Sequence, residues 1–414
     1  FLSDSLNLSA SYERGNQFRI GFSLRGNFYR DTIKKPGPKN VVRLNKDQIE
    51  RSLRDKQIFY RSLNKSLQDE SIYIQGASYR KKEVDIAVAS SQYYSFTRVA
   101  GRAARVVEAL AYESIERINV HSMNSDIEIA IFSLDRQEFR ATSEFDGSES
   151  ELLRKSNIYS DSSNPLYRRA DFIPKVEFPE FEWNMSPSLR HQIGGPEGFY
   201  LGQLSWQTDL SLKFQRNLTL YSSFGINIYD TFNNLINSSQ SSIPHVRSDI
   251  QKYLTQGKNH IKRFQLEYLY SPIQDFYVRG DLGIFEEMFG GIGGEILYRP
   301  FDKRFALGLS LHKVKQRDYD QRFSFIDYEN ITGHASLYYE MPSQVLAHIR
   351  IGEYLAGDKG ATLDLSRRFN SGFSLGVFAT FTDLSKEEFG EGSFDKGFYF
   401  SIPTKLFYSN YRSG

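Results

Sequence analysis

The sequence contains no cysteine. Disulfides, thiolate metal sites and a lipid-modified cysteine are thereby excluded within this stretch. No apolar run approaches the roughly 18 residues that a membrane helix needs, so a crossing of a bilayer would have to use strands. The mean hydropathy of -0.49 would pass for a soluble protein, but alternating strands escape such a scan because every second residue is polar. Net charge is nearly absent too: 52 Lys+Arg against 50 Asp+Glu leave +2. No global field therefore selects a nucleic-acid partner. The chain opens on Phe1 without a methionine and closes on Tyr411-Arg412-Ser413-Gly414. It reads as a piece of a longer protein.

What is present is alternation. From Leu201 to about Pro403 the chain is a succession of period-two segments. In Gln203 to Phe214, Leu204, Trp206, Thr208, Leu210, Leu212 and Phe214 share one face, while Gln203, Ser205, Gln207, Asp209, Ser211 and Lys213 share the other. That is a strand with one greasy side. The pattern recurs through Phe264–Tyr270, Phe305–Leu311, Val345–Ile351 and Phe373–Phe381. Each run suits the ~9–11 residues of a tilted strand crossing a bilayer.

The connections decide between a soluble sandwich and a membrane barrel. Tight ones carry turn formers, as in Gln215-Arg216-Asn217, Ser271-Pro272, Met341-Pro342-Ser343 and Asn370-Ser371-Gly372. They alternate with mostly longer polar ones: Asn233 to Asn259, Asp318 to Asn330, Gly352 to Gly360 and Asp383 to Lys396. Outer-membrane barrels place short turns on the periplasmic side and long loops outside. Aromatics at 15% suit their interfacial girdles, although a β-rich soluble protein shares that content.

The N-terminal portion differs. Residues 1–30 read as a barrel hairpin, either the end of a preceding barrel or the first strands of one interrupted barrel. After Lys34-Lys35-Pro36-Gly37-Pro38 the period changes, and residues 41–145 read as a small α/β domain attached on the turn side. Its helices are expected over Asp47–Gln68 and Tyr94–Tyr112. Residues 146–175, rich in serine and asparagine, read as a linker, and 176–414 as the barrel region, with about fourteen barrel strands in all. The expected fold class is mainly β, an antiparallel transmembrane β-barrel with a small periplasmic α/β domain.

Several groups invite chemistry. Gly290 to Gly294 lacks the Lys-Ser/Thr of a phosphate loop and reads as a tight turn with close strand contact. The acids Asp318, Asp320, Asp327 and Glu329 share one external loop, and Glu387, Glu388 and Glu391 another; neither spacing fits a calcium loop. With aromatics and cations nearby, Lys315, Arg317, Tyr319, Arg322, Phe325 and Tyr328 are expected to form a glycan-contacting surface. On the second helix Arg98, Arg102 and Arg105 are candidates for docking an acidic partner, although the same spacing describes a solvated face. His312, His334 and His348 share the lumen-facing parity. With the intervening loop symmetric about Phe323, His312 would stand opposite His334, a conceivable metal site. No catalytic residue and no cofactor are expected.

His245-Val246-Arg247-Ser248-Asp249-Ile250 with Tyr253-Leu254, Gly290 to Glu295, Tyr298-Arg299-Pro300-Phe301, Val314-Lys315-Gln316-Arg317-Asp318, Tyr354 to Thr362 and Glu388 to Gly397 together resemble the YjbH family. Gly101-Arg102-Ala103-Ala104-Arg105-Val106 looks like that family's periplasmic portion. The resemblance implies an outer-membrane barrel of a Gram-negative envelope that works with exopolysaccharide or capsule export, often starting as a lipoprotein. The expected role is non-catalytic support of secretion or assembly, with membrane lipid, polysaccharide and export proteins as partners and no nucleic acid. A glycan-conducting pore and a glycan hydrolase using Glu387 or Asp320 are the alternatives.

Overall fold

The computed structural model describes residues 6–13, 17–24, 45, 47, 55–90, 93, 95–195, 198–234, 243–369, 372–385 and 395–401. Within them the alternating segments become a twelve-stranded antiparallel meander. It runs β8 (Glu180–Gly195), β9 (Gly198–Gln215), β10 (Leu218–Asp230), β11 (His260–Tyr270), β12 (Phe276–Ile284), β13 (Phe289–Tyr298), β14 (Phe305–Arg317), β15 (Phe325–Glu340), β16 (Val345–Glu353), β17 (Lys359–Arg368), β18 (Ser374–Thr382) and β19 (Asp395–Ser401). Each strand pairs with its sequence neighbour, so every connection is a hairpin. Among the described residues the sheet is open, with β8 and β19 at its edges. Pro187, which cannot donate to a ladder, lies in edge strand β8. Strands β1 (Leu6–Glu13) and β2 (Gln17–Leu24) form a separate hairpin. The two hairpin strands do not pair with the twelve, and no closed barrel is formed among the described residues.

The ladder sorts side chains by period. Leu307, Leu337, Ile349, Leu363 and Ala379 are successive cross-strand partners, an apolar row spanning five strands. Glu267 faces Asp281, Arg279 faces Glu295, and Ser310 faces His334, rows of the opposite, polar face. The apolar face is the open one: Leu309 and Leu311 remain 62% and 63% exposed. The Gly290–Gly294 run is not the expected turn. It lies inside β13, and a Cβ on Gly291 would meet the Lys313 carbonyl at 2.1 Å, so close strand contact is what demands glycine there.

The core is elsewhere, in an α/β unit. Strands β3 (Tyr73–Tyr79), β4 (Glu83–Ala89), β5 (Arg117–Asn124), β6 (Ile127–Asp135) and β7 (Asn157–Tyr159) form a sheet in that order, with β4 and β5 parallel. The crossover between them is α2 (Phe96–Leu110), as parallel pairing requires. It lies with α1 (Lys56–Asp69), burying Leu63, Leu67, Val99, Ala103, Val106 and Val107 against Ile86, Val88, Ile118 and Val120. Side-chain caps start the helices: Asp55 accepts from the Gln57 N–H, and Ser95 from the Arg98 N–H. The first stretch of the helix expected from Asp47 falls largely outside the described residues. Two short helices follow, α3 (Arg136–Ser143) and α4 (Glu149–Lys155). The Arg136 guanidinium donates to the carbonyls of Glu108, Ala111, Tyr112 and Ile115, collecting the free end of α2.

Residues 146–175 differ from the expected linker. Ser148 and Glu151 close a capping box at α4, β7 pairs with β6, and Phe172 bridges backbone to backbone with Ala77. Leu166 and Tyr167 are buried against Ala87 and Met123. A polar composition hid a segment held by few apolar anchors.

This segment and the β5–β6 turn dock the unit on the short-turn end of the large sheet. Asp126, at the turn, pairs with Lys213 and with Arg216 at 3.4 Å. Arg216 also donates to Gln75 and lies 4.6 Å over the Tyr167 ring. Ser162 bonds Ser271, and Gln274 donates to the Ser160 carbonyl. Replacing Asp126 by alanine strands two largely covered cations. The docking is expected to weaken by ~2 kcal/mol, a buried-pair cost reduced for partial exposure. Trypsin cleavage near residues 173–179 should then accelerate; an unchanged cleavage rate would contradict it.

Candidate functional site

The opposite end of the sheet carries the longer loops, and one of them turns inward. Asp249 precedes a two-turn helix, α5 (Ile250–Gln256), whose Tyr253 and Leu254 share one side. Tyr253 is fully buried against Met288, Phe289 and Val314, with Tyr319, Tyr328 and Leu355 packed around them. Val314 carries the parity of His312, the polar face. Helix α5 therefore covers the inner face of the sheet at its loop end.

Asp249 anchors this cover. It accepts from the Tyr319 hydroxyl at 2.8 Å and Lys252 Nζ at 3.0 Å, with His245 Nδ1 at 3.2 Å. Burial opposes its ionisation, but these hydrogen bonds outweigh it and hold the carboxyl below its ordinary value. The hydroxyl of Tyr253 donates to the Arg317 carbonyl, and Gln321 donates to the Tyr253 carbonyl.

Beside this cover is a cavity of about 440 Å³ lined by Gln207, Asp209, Arg247, Lys262, Arg263 and Glu286, among others. Deeper along the polar face, Arg279 bonds Asp281 at 3.1 Å and Glu295 at 3.0 Å, while Arg263 bonds Gln265. Gln207 and Ser223 donate to Asp209. The arrangement offers cations, carboxylates and amides to a polyhydroxylated ligand.

The six residues expected to form one glycan surface do not do so. Arg317 is a correction: it is fully buried, and its guanidinium donates to the carbonyls of Ile261, Glu286, Glu287 and Arg322. Tyr319 and Tyr328 turn inward, the latter donating to the Leu355 carbonyl. Lys315 and Phe325 border a groove on the apolar face, and Arg322 is exposed at the loop tip. A register shift between Lys315 and Arg317 separates these groups.

The histidines do not converge either. His312 stands opposite Thr332 and His334 opposite Ser310, so the hairpin is displaced by two residues from the expected pairing. His312 lies 3.6 Å from Asp281, His334 packs edge-on to Tyr354, and His348 stacks on Tyr338. Among the described residues no group of three or more metal-ligating side chains is placed to hold a metal ion. Arg102 is likewise committed, pairing with Glu70 and lying 4.9 Å over Tyr93, while Arg98 and Arg105 are half-buried. The three-arginine docking face is thus reduced. Glu387, Glu388 and Glu391 lie outside the described residues.

What sequence reasoning missed is α5, although Ile250, Tyr253 and Leu254 carry the i, i+3, i+4 spacing that marks it. It also missed a buried cluster in the α/β unit. His121 Nδ1 lies 2.9 Å from Glu128, with Asp85 at 3.8 Å from Nε2 and Asn119 donating to Asp85 at 2.8 Å.

Sheet, inward loop and docked unit define a mainly β protein built on a long hairpin meander with an α/β appendage. The chain belongs to the YjbH family, described as "Exopolysaccharide biosynthesis protein YbjH", which matches residues 1–413. It is 31% identical over 436 residues to the "Uncharacterized lipoprotein YjbH" of Escherichia coli K12, a match covering 99% of this chain and 59% of that protein. Among solved structures, OmpT of Vibrio cholerae, an outer membrane protein, is 10% identical. That match covers 53% of this chain and 79% of OmpT, with a TM-score of 0.23. A loop L8 deletion mutant of OmpT gives 8%, 49%, 92% and 0.20. At these scores neither likeness bears on function.

Proposed function

We propose that this protein is an outer-membrane β-barrel that supports exopolysaccharide or capsule secretion and assembly without catalysis, by binding glycan or export partners. The observation that carries the reading is the continuous apolar face, in register across the strands of a chain from an exopolysaccharide family. Left in water, such a face forgoes on the order of 1 kcal/mol for each large apolar side chain. Hydrocarbon is the environment that removes this cost. The short-turn end then faces the periplasm with the α/β unit, and the mouth beside α5 faces outward. Arg247, Lys262 and Arg263 are the residues we assign to glycan contact there. A conducting pore has less support, since α5 covers the inner face at that end.

The test combines secretion and binding. In a deletion strain, exopolysaccharide release should fall and return with the wild-type protein. Full-length protein in detergent should bind oligosaccharides cut from that polymer, and joint Arg247→Ala and Lys262→Ala changes should weaken binding about tenfold. The polymer should be recovered with no new reducing ends. Accumulating reducing ends, or unchanged release from the deletion strain, would overturn the proposal.

A further inference from the structure

The apolar face carries a built groove at its loop-end rim. The row Leu266, Leu282, Ile292, Lys313 and Ile331 runs across five strands as successive pairing partners. One row nearer the loops run Phe264, Ile284, Gly290, Lys315 and Glu329. Two lysines thus stand on the greasy side, where its rows reach the loops. The β14–β15 hairpin bends back over them, bringing the Phe323 ring edge-on to Phe264 at 5.8 Å. Beneath this hood is a groove of about 540 Å³, lined by Phe264, Leu282, Ile292, Phe323 and Phe325, with Lys313, Lys315 and Glu329 at its lip.

The chemistry of this groove is that of an amphiphile's two ends. Its floor and hood are hydrocarbon, suited to an acyl chain. Its lip holds two ammonium groups against one carboxylate. Glu329 lies 3.6 Å from Lys313, both more than half exposed, and Lys315 makes no ion pair among the described residues. Lysines on a lipid-facing strand reach for the polar boundary, and near that boundary they cost little. Phosphate is the anionic group found at that level in an outer leaflet built of phosphorylated, multiply acylated glycolipid.

We propose that this groove is a specific site for one such glycolipid, with an acyl chain under Phe323 and a phosphate against Lys313 and Lys315. The inference rests on the outer-membrane reading above. It adds that the protein selects its boundary lipid on the side where the glycan-facing mouth opens. Glu329 tempers the site, so its removal strengthens binding.

The test reconstitutes the full-length protein into nanodiscs of phosphatidylglycerol containing bisphosphorylated hexa-acyl lipid A, and counts retained lipid by native mass spectrometry. One lipid A per chain is expected to be retained. Joint Lys313→Gln and Lys315→Gln changes should reduce retention about tenfold, and lipid A stripped of phosphate should lose as much. Ile292→Trp, which fills the groove with another apolar side chain, should also displace it, whereas Glu329→Gln should raise retention. Heat-modifiable migration on electrophoresis confirms that each variant is folded. Equal retention of phosphatidylglycerol, indifference to the lysine and tryptophan changes, or full competition by inorganic phosphate would overturn the site. Failure of the wild-type protein to insert into any disc would instead overturn the membrane reading beneath it.

Discussion

Arg317→Ala is expected to loosen the entire loop end of the sheet. The guanidinium holds the Ile261 carbonyl at 2.8 Å, those of Glu286 and Glu287 at 2.8 and 3.0 Å, and that of Arg322 at 2.8 Å. Its own backbone adds an N–H to the Met288 carbonyl and a carbonyl to Tyr253. One residue therefore ties the start of β11, the β12–β13 turn, its own hairpin and α5. Alanine leaves those carbonyls without their charged donor in a dry site, a loss of about 3–5 kcal/mol. Lysine should not rescue it, because a compact ammonium cannot span carbonyls that a planar fork reaches together. Arg322→Ala, at the exposed tip, is expected to stay within ~0.5 kcal/mol of wild type. Urea unfolding of the refolded protein in detergent, with protease cleavage between residues 318 and 324, separates these cases. If Arg317→Ala and Arg322→Ala unfold together, the clamp has no energetic weight.

The same residue shows where sequence reading stops. The meander was legible because apolar and polar residues alternate strictly, and because turn formers punctuate the strands at one end. The two longer helices of the α/β unit were legible from their apolar stripes. Arg317 looked like a surface cation because its neighbours in sequence are polar. Three of its four carbonyl partners lie 30 to 56 residues away, and backbone acceptors carry no sequence signal. The register of β14 and β15 was missed for a related reason. A bulge beside Gln316 changes the count, and a shift of two residues preserves the face of every side chain. The histidines kept their parity and lost their partner. Residues 146–175 were hidden differently, since Leu166, Tyr167 and Phe172 are too few for a periodic signal yet fix the segment to two sheets.

That segment also links the buried histidine cluster to the large sheet, which gives the cluster a measurable consequence. Burial alone lowers the pKa of His121, but the carboxylates of Asp85 and Glu128 beside it reverse this and hold it above its ordinary 6.5. Asp85 is pushed up by burial, and the His121 imidazole beside it together with the hydrogen bond from Asn119 brings it below 3.8. The signs then follow by linkage. The His121 contribution is complete below about 6.5 and is lost as pH rises through the folded pKa; that of Asp85 is complete above about 3.8 and is lost as pH falls through its folded pKa. Stability of the unit should therefore peak in weak acid and decline on the alkaline side. His121→Gln removes the alkaline decline and, at pH 6, strands two buried carboxylates at a cost of about 3 kcal/mol. Hydrogen exchange of β5 and β6 in the full-length protein, followed from pH 5 to 9 by mass spectrometry and corrected for intrinsic rates, reads both effects. Because Glu128 also accepts the Leu166 N–H at 2.9 Å, loosening there should spread to Tyr167, on whose ring Arg216 of the β9–β10 turn rests. Parallel profiles for the variant and the wild type would mean that His121 stays neutral between its two acids.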